Sequence, residues 1–484
     1  MGVTQSVDHV ALAPAYLATA TAVLVLLVDL LVARRVVTVA VAAVGAVATA
    51  AGAVLVGTGP DRSTFCVPGA CSYAFTGRAA VVAVLFALLT LAVVTLSAPL
   101  LRAGAAPAGE YCFLLACSMT GGVVLGAAGD LITLIVALET LTLPLYVLVG
   151  MRRQTAESAS AAMTFFVVSV VATAVTLLGA ALLYAVTGAV HFAPLRAALT
   201  PATLNLPLAG AAVALVVLGL AFKVAAVPFH AWAPATYDGA PLPVAAYLST
   251  ASKLGGVVAL LLVTGLALPI TVTGPVLAVL AVLTMTVGNL VALRQVRMVR
   301  LLAWSSVAQA GYILAPLGAI GLGADRLGPA VAAAIAYTAF FVVLEVGAFA
   351  AIVALRPAGA DGGRIDGYRG AARRHPLVGA ALALALIGLA GLPPGLAGLF
   401  AKVVVVRSLL DGGAGWLAVI VALNAVVGLA YYVRAAATLY APSPVAGPRP
   451  GAVAWPVAGV LATATAVAVV VGFAPQLILD AAAR

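Results

Sequence analysis

The chain has 484 residues, of which 65% are hydrophobic and 8% charged, and a formal net charge of +10. A soluble domain of this length does not have that composition, and the apolar runs lack the alternating polarity of barrel strands, so the sequence predicts an all-α polytopic membrane protein. The positive charge is carried in short loops between apolar spans, which excludes it as a nucleic-acid signal.

Apolar runs of roughly 18–25 residues mark bilayer crossings. They fall near 12–32, 36–56, 79–99, 110–127, 130–149, 158–187, 206–226, 242–265, 275–293, 299–317, 328–355, 376–409, 414–440 and 453–473, about fourteen helices. The start, MGVTQSVDHV, has no basic region before the first span, so no cleavable signal peptide is expected. Cys66 and Cys71 share one loop, in CVPGAC; a disulfide forms there if that loop faces an oxidising compartment. Two thiols without a nearby histidine do not make a metal site. Cys112 and Cys117 fall inside an apolar span and read as packing residues.

Two spans are interrupted. One breaks near 223–228, at Ala225–Pro228. The other breaks near 391–398, within GLAGLPPGLAGLFAK. Irregular backbone survives at membrane depth only beside a cavity or buried in protein, and paired breaks point to a transport path. Each break has a lysine beside it, Lys223 and Lys402, and the second broken helix is the fifth span after the first. The expected organisation is helices 1–3 over 1–109, repeated bundles over 110–265 and 266–440, and a last helix over 441–484. Fifteen arginines follow odd-numbered helices, from Arg34 and Arg35 through Arg153 to Arg434 and Arg449. Six, including Arg62, Arg196 and Arg484, lie on the other side. Positive charge marks the cytoplasmic face, which sets both termini and the Cys66–Cys71 loop outside. The stretch 356–376 is then a cytoplasmic linker, too short for a domain.

The basic residues divide unusually: 21 arginines and three lysines, Lys223, Lys253 and Lys402, all within or at the edge of apolar spans. A lysine at the bilayer centre costs roughly 2.5–3.5 kcal/mol on insertion scales. Unlike arginine, lysine can give up its proton when taken out of water. These positions suit proton handling; the alternative is snorkelling to the interface. Glu139 sits at mid-span, nine residues after Asp130 and thirteen before Arg152, and is the simplest partner for Lys223. Asp130 reads as a helix cap. Asp29 reads as a surface ion pair with Arg34 and Arg35. Glu345 fits either a polar axis or a local pair. His191 reads as a surface residue. His230 follows a break and fits either a bond to a freed carbonyl or a relay. Tyr237 and Asp238 read as turn or capping residues. Ser305, Ser306 and Gln309 put polar groups in a helix, either holding water or joining helices. No nucleotide, flavin, haem or iron–sulfur motif is present, so the driving force lies in a partner or an ion gradient.

Four stretches carry a family resemblance: DLITLIVALETLTLPLYVLVGMRR, GLAFKVAAVPFHAWAPATYDGAPLPVAAYLSTASK, NLVALRQVRMVRLLAWSSVAQAGYI and RRHPLVGAALALALIGLAGLPPGLAGLFAK. Over roughly 110–440 the chain resembles the antiporter-like proton-channel subunits of respiratory complex I, and most closely the N-type subunits of bacterial NADH–quinone oxidoreductases. The resemblance implies fourteen helices with two inverted five-helix repeats, in the bacterial plasma membrane. Glu139 is then the acid of the fifth helix and Lys223 its partner on the broken seventh. Lys253 is the central lysine of the eighth helix, and Lys402 the distal lysine of the broken twelfth. Gln309, His230 and Glu345 are further relay candidates. The resemblance implies no cofactor in this chain; NAD, flavin, iron–sulfur clusters and quinone belong to partner subunits of the assembly. Two features depart from the pattern. Ser160 and Thr164 stand where N-type subunits usually carry Glu and Lys, and Gln309 stands where a histidine is often found. Two other readings are a subunit of a multisubunit cation/proton antiporter and a scaffold that has lost transport. LPLYVLVGMRR after the acid favours the N-type subunit over the first, and the intact Glu139, Lys223, Lys253 and Lys402 argue against the second.

Overall fold

The computed structural model describes residues 6–152, 155–319, 324–442 and 452–483. Arg153, Arg449 and Arg484, which enter the charge count above, lie outside the described residues. The chain opens with Ala13–Val32 (α1) and Arg35–Gly57 (α2), a hairpin of Arg62–Val67 (β1) and Ala70–Phe75 (β2), then Gly77–Leu96 (α3), Ala98–Arg102 (α4) and Ala108–Gly126 (α5). Leu131–Val149 (α6), Ala156–Thr187 (α7), Phe192–Ala198 (α8), Pro201–Leu204 (α9) and Pro207–Lys223 (α10) follow. Trp232–Gly239 (α11), Leu242–Tyr247 (α12) and Lys253–Leu262 (α13) come next, with a π-helical turn at Leu248–Ser252 before α13 and a second at Val263–Ala267 after it. The remainder is Ile270–Ala292 (α14), Met298–Leu314 (α15), Ala324–Leu355 (α16), Ala371–Arg374 (α17), Pro376–Ala390 (α18), Leu396–Asp411 (α19), Gly415–Tyr440 (α20), Trp455–Phe473 (α21) and Gln476–Ala483 (α22).

Among the described residues, 11 helices are long and apolar enough to cross a membrane by length and composition. Their outer faces are made of large apolar side chains. Leu30, Leu31, Val36, Leu55 and Leu377 are each more than 70% exposed, which water would not tolerate over so wide a surface. This is a multi-pass helical membrane fold.

The chain divides into two compact units. The first comprises residues 1–153, 162–223 and 251–273; the second comprises 154–161, 224–250 and 274–484. In the first, α1 packs on α2 and α5, α3 on α2 and α5, α6 on α5, and α13 on α5, α6 and α10. Lipid supplies no hydrophobic drive between helices, so close packing must supply the attraction, and small residues permit it. Gly219 of α10 shows the effect: a Cβ there would stand 3.0 Å from the Ala172 carbonyl and the Thr176 backbone nitrogen of α7. In the second unit α16 packs on α12, α15, α18, α19 and α21, and α20 on α18 and α19.

The stretch holding Cys66 and Cys71 is a two-stranded antiparallel hairpin, where the sequence reading expected a loop. Its register sets Cys66 opposite Cys71, and the two are joined by a disulfide across the Pro68–Gly69 turn. Phe65 and Val67 of β1 are exposed, while Tyr73 and Phe75 of β2 insert among Ala79, Ala83, Met119 and Val123, which anchors the hairpin to its own unit. Asp29 does not pair with Arg34 or Arg35. It accepts the Thr38 hydroxyl at 3.1 Å, because α1 and α2 lie side by side and that hydroxyl is nearer than either guanidinium.

Candidate functional site

The first unit centres on Glu139 and Lys223. The α10 helix ends at Lys223, and Val224–Ala231 leaves the α-helical path, with Ala225 at φ +58°. The freed Val227 N–H is taken up by the Thr284 hydroxyl at 2.9 Å, both in the second unit. Ending the helix there places the lysine in its last turn, where carbonyl ends favour a cation. The Lys223 ammonium donates to Glu139 Oε1 at 2.8 Å, Ser169 Oγ at 3.1 Å and Thr142 Oγ1 at 3.2 Å, using all three of its hydrogens. Glu139 Oε1 also accepts the Thr173 hydroxyl at 2.6 Å. Lys223 is 6% exposed and Glu139 19%, so neither snorkels to water. Two charges at this depth persist because each neutralises the other and hydroxyls satisfy what remains.

Lys253 is the first residue of α13, 2% exposed, directly after the π-helical turn Leu248–Ser252. Such turns are rare and concentrate at functional positions. Its helix packs against α6 and α10, the carriers of Glu139 and Lys223, within the first unit.

The second unit holds Lys402, Gln309, Glu345 and His230. The α18 helix stops at Ala390, capped by Gly391 at φ +82°, and α19 restarts at Leu396. Lys402 reaches back from α19 to donate to the Ala390 carbonyl, one of the groups left open by that stop, and its ammonium lies 5.6 Å from the centre of the Tyr312 ring. A cavity of about 520 Å³ opens beside it, lined by apolar side chains such as Leu399, Val406 and Leu429. Gln309 is buried. Its Nε2 donates to the Leu389 carbonyl at 3.2 Å and to the Tyr432 hydroxyl at 3.0 Å, and its Oε1 accepts from the Tyr337 hydroxyl. Glu345 is fully buried and accepts the Ser249 hydroxyl at 2.6 Å. The His230 ring lies 5.1 Å from the Trp304 ring.

Several sequence readings change. Ser160 and Thr164 are on the exposed face of α7; the α7 hydroxyls that reach the ion pair belong to Ser169 and Thr173. His191 is not a free surface residue: its ring bonds Ser72 Oγ at 3.2 Å and lies 3.9 Å from Asp130 Oδ2. Tyr237 is buried in α11 and donates to the Leu248 carbonyl. Asp238 sits at the end of α11 and pairs with Arg297 at 2.7 Å and Arg300 at 3.0 Å, while Arg297 also holds Asp361. Asp238 and Asp361 hold the Arg297 guanidinium further above its ordinary range. Asp130 does cap α6, accepting the Thr133 N–H at 2.6 Å. Cys112 and Cys117 are free thiols within α5. The hydroxyl partners Thr142, Ser169 and Thr173, and the tyrosines around Gln309, were not legible as site residues.

Residues 128–428 match the family model described as NADH:quinone oxidoreductase/Mrp antiporter, TM. The chain is 70% identical to NADH-quinone oxidoreductase subunit N of Salinispora tropica, covering 100% of both chains. It is 45% identical to NADH-quinone oxidoreductase subunit N 2 of Streptomyces griseus, over 90% of this chain and 84% of that one. Among solved structures, it superposes on a chain of respiratory complex I from Thermus thermophilus with TM-score 0.80 and 29% identity, covering 96% and 98%. It superposes on a chain of the Mrp complex from Dietzia sp. with TM-score 0.84, covering 97% and 96%, but at 22% identity that likeness shows the fold alone. With a broken helix ending at a lysine paired to a buried glutamate, a second break beside another lysine, and these relatives, the chain belongs to the NADH:quinone oxidoreductase/Mrp antiporter transmembrane family, among its NADH-quinone oxidoreductase N subunits.

Proposed function

We propose that this chain is a membrane-arm subunit of a proton-pumping NADH–quinone oxidoreductase, moving protons through buried acid and lysine side chains. The observation that carries the reading is the Glu139–Lys223 pair, 2.8 Å apart at the end of an interrupted helix. While closed, the pair keeps both groups charged. When it opens, a lysine held away from water releases its proton, and Lys223, Lys253 and Lys402 hold that proton in turn. Glu139 sets when the first step occurs, and His230 and Gln309 border the path. No step here moves electrons, so the redox chemistry of NAD, flavin, iron–sulfur clusters and quinone belongs to partner subunits.

Within the same reading, α1, α2, α3, α5, α6, α7, α10, α12–α13, α14, α15, α16, α18–α19, α20 and α21 make fourteen crossings. Those from 110–265 and 266–440 form two inverted five-helix repeats, flanked by 1–109 and 441–484. The arginine asymmetry then sets both termini outside the cytoplasm of a bacterial plasma membrane. The antiporter reading has less support, because the Mrp likeness rests on fold while the highly identical relatives are oxidoreductase subunits. The test is to isolate the tagged chain from membranes and measure NADH-driven proton uptake in vesicles. Co-isolation with other oxidoreductase subunits and uptake that needs this chain are expected. Isolation with cation-exchanger subunits, and sodium–proton exchange without NADH, would replace the reading with the antiporter.

A further inference from the structure

We propose that Asn289 is a positioning residue for proton transfer at Lys402, acting through the Tyr312 ring. The inference rests on the proton-translocating reading above and adds to it a residue that carries no proton. Asn289 of α14, Tyr312 of α15 and Lys402 of α19 all belong to the second unit. Lys402 is held differently from Lys223. Among the described residues its ammonium has no carboxylate partner; it donates to the Ala390 carbonyl and lies over the Tyr312 ring, 5.6 Å from the centroid. The two contacts respond differently to the proton. A carbonyl oxygen accepts an N–H from the ammonium or from the neutral amine. The ring face attracts the cation through its quadrupole, and that attraction goes when the charge goes. The placement of the ring therefore bears on the transfer itself.

Asn289 is what places the ring. The α14 and α15 helices touch backbone to backbone: a Cβ added at Gly288 would stand 2.6 Å from the Ala308 nitrogen, and one at Gly311 would stand 2.5 Å from the Met285 nitrogen. Asn289 and Tyr312 are the next residues along the two helices. At this approach the Asn289 amide, 1% exposed, donates to the Tyr312 hydroxyl at 2.9 Å.

The orientation of that amide follows from its other partners. Its Nδ2 also faces the Asn424 backbone carbonyl at 3.2 Å and Asn424 Oδ1 at 3.3 Å. A backbone carbonyl cannot donate, so the atom facing it is the nitrogen, and Asn289 Oδ1 is left to accept the Tyr431 hydroxyl at 3.0 Å. Asn424 is held in turn by its bond to Thr286 Oγ1 at 3.2 Å. Asn289 thus uses both ends of its side chain and is fixed from α20 as well as from its own helix. The Tyr312 hydroxyl is pinned to this fixed point, and the Tyr337 ring lies 5.9 Å from the Tyr312 ring. Without the Asn289 bond, the hydroxyl end of Tyr312 can swing and carry the ring face off the ammonium.

Substitutions at both ends of the bond separate positioning from scaffolding, measured in the assembled complex in vesicles as protons taken up per NADH oxidised. Asn289→Leu keeps the volume and removes every bond. Asn289→Asp keeps the shape and the tether, because the Tyr312 hydroxyl can donate to a carboxyl oxygen where it now accepts. Uptake should fall at least about threefold in Asn289→Leu, the scale of one desolvated cation–ring contact. Asn289→Asp should recover at least half of wild-type uptake. Wild-type uptake in Asn289→Leu overturns the proposal. Equal losses in the two variants overturn it as well, by assigning Asn289 to helix packing. Should either variant fail to assemble, Tyr312→Phe decides, since it keeps the ring and removes the same bond from the other end. Reduced uptake there supports the proposal, and wild-type uptake overturns it. Failure of the general reading is distinguishable, because uptake would then survive Glu139→Gln and Lys402→Arg as well.

Discussion

Lys223 ends α10 with its ammonium 2.8 Å from Glu139 Oε1, so the break in the helix and the ion pair are one feature. The lysine is the last α-helical residue before Val224, and its three hydrogens go to Glu139, Thr142 and Ser169 of α6 and α7. The α6 helix runs on through Pro144, which leaves the Thr140 carbonyl without its helical donor.

Removing one partner strands the other. Glu139→Gln leaves Lys223 without its counter-charge, and loss of one partner from a buried pair costs about 3–5 kcal/mol. Lys223 can escape much of that cost by losing its proton, so the subunit should still assemble. Proton uptake by vesicles during NADH oxidation should fall severalfold, and uptake at the wild-type rate would show that the pair has no part in transport.

The Gly391 conformation is specific to Lys402. Alanine there must hold φ +82°, at about 1–2 kcal/mol, and its Cβ would lie 2.9 Å from Lys402 Cδ. Gly413 has a similar φ of +73° but open space around it. Gly391→Ala should displace Lys402 from the Ala390 carbonyl and depress proton uptake. Gly413→Ala should carry the backbone cost alone and pump normally. Equal uptake by the two variants would mean that Lys402 needs no such placement.

Some of this architecture could be read from the chain because it is expensive. Glu139, Lys223 and Lys402 stand out where charge costs most, and Pro228, Gly391, Pro393 and Pro394 mark where helices must stop. The hydroxyl partners could not be read. Thr142 and Thr176 bond their own i−4 carbonyls, as threonines in apolar helices commonly do, while Thr173 turns to Glu139, and only packing decides which. Ser160 and Thr164, which stand where N-type subunits usually carry Glu and Lys, face away from the pair. Ser169 and Thr173 lie nine residues further on, two and a half turns at 3.6 residues per turn, which is the opposite face of α7. The hairpin escaped notice because each strand has six residues and its inward pair, Tyr73 and Phe75, shows no longer pattern.

The disulfide gives a test of orientation. Cys66 and Cys71 lie on a hairpin tip between α2 and α3, the side assigned to the outside by the arginine count. After mild reduction of intact cells, an impermeant maleimide should label both thiols. Labelling only after the membrane is broken would invert the orientation of the whole chain.

Asp8 ties the segment before α1 to the same hairpin. Its carboxylate accepts the Val10 and Ala11 N–H groups and the Arg62 guanidinium at 3.0 Å. The Ala11 N–H first, then Arg62, hold its carboxyl below the usual range. A depressed value stabilises the folded state above the ordinary carboxylate value of ~3.9 and loses that contribution as pH falls below it. Asp8→Asn should therefore reduce hydrogen-exchange protection of residues 8–12 at pH 7. The gap from wild type should close as the pH is lowered through that window, and a gap independent of pH would assign the protection to shape instead of charge.

Lys402→Arg is the sharpest test of proton carriage. Lys402 donates to the Ala390 carbonyl exposed by the break and lies over the Tyr312 ring. Arginine can make both contacts, since a guanidinium donates to carbonyls and stacks on aromatic faces. It also has the reach to sit at a membrane edge, so an anchoring role predicts little change. What arginine cannot do is release its proton at any pH the protein meets. Assembly and NADH oxidation by the complex should therefore remain near wild type in Lys402→Arg, while protons taken up per NADH fall. The loss should persist from pH 6 to pH 8, because no pH in that range discharges a guanidinium. Full coupling across that range would leave Lys402 as an anchor and remove it from the path.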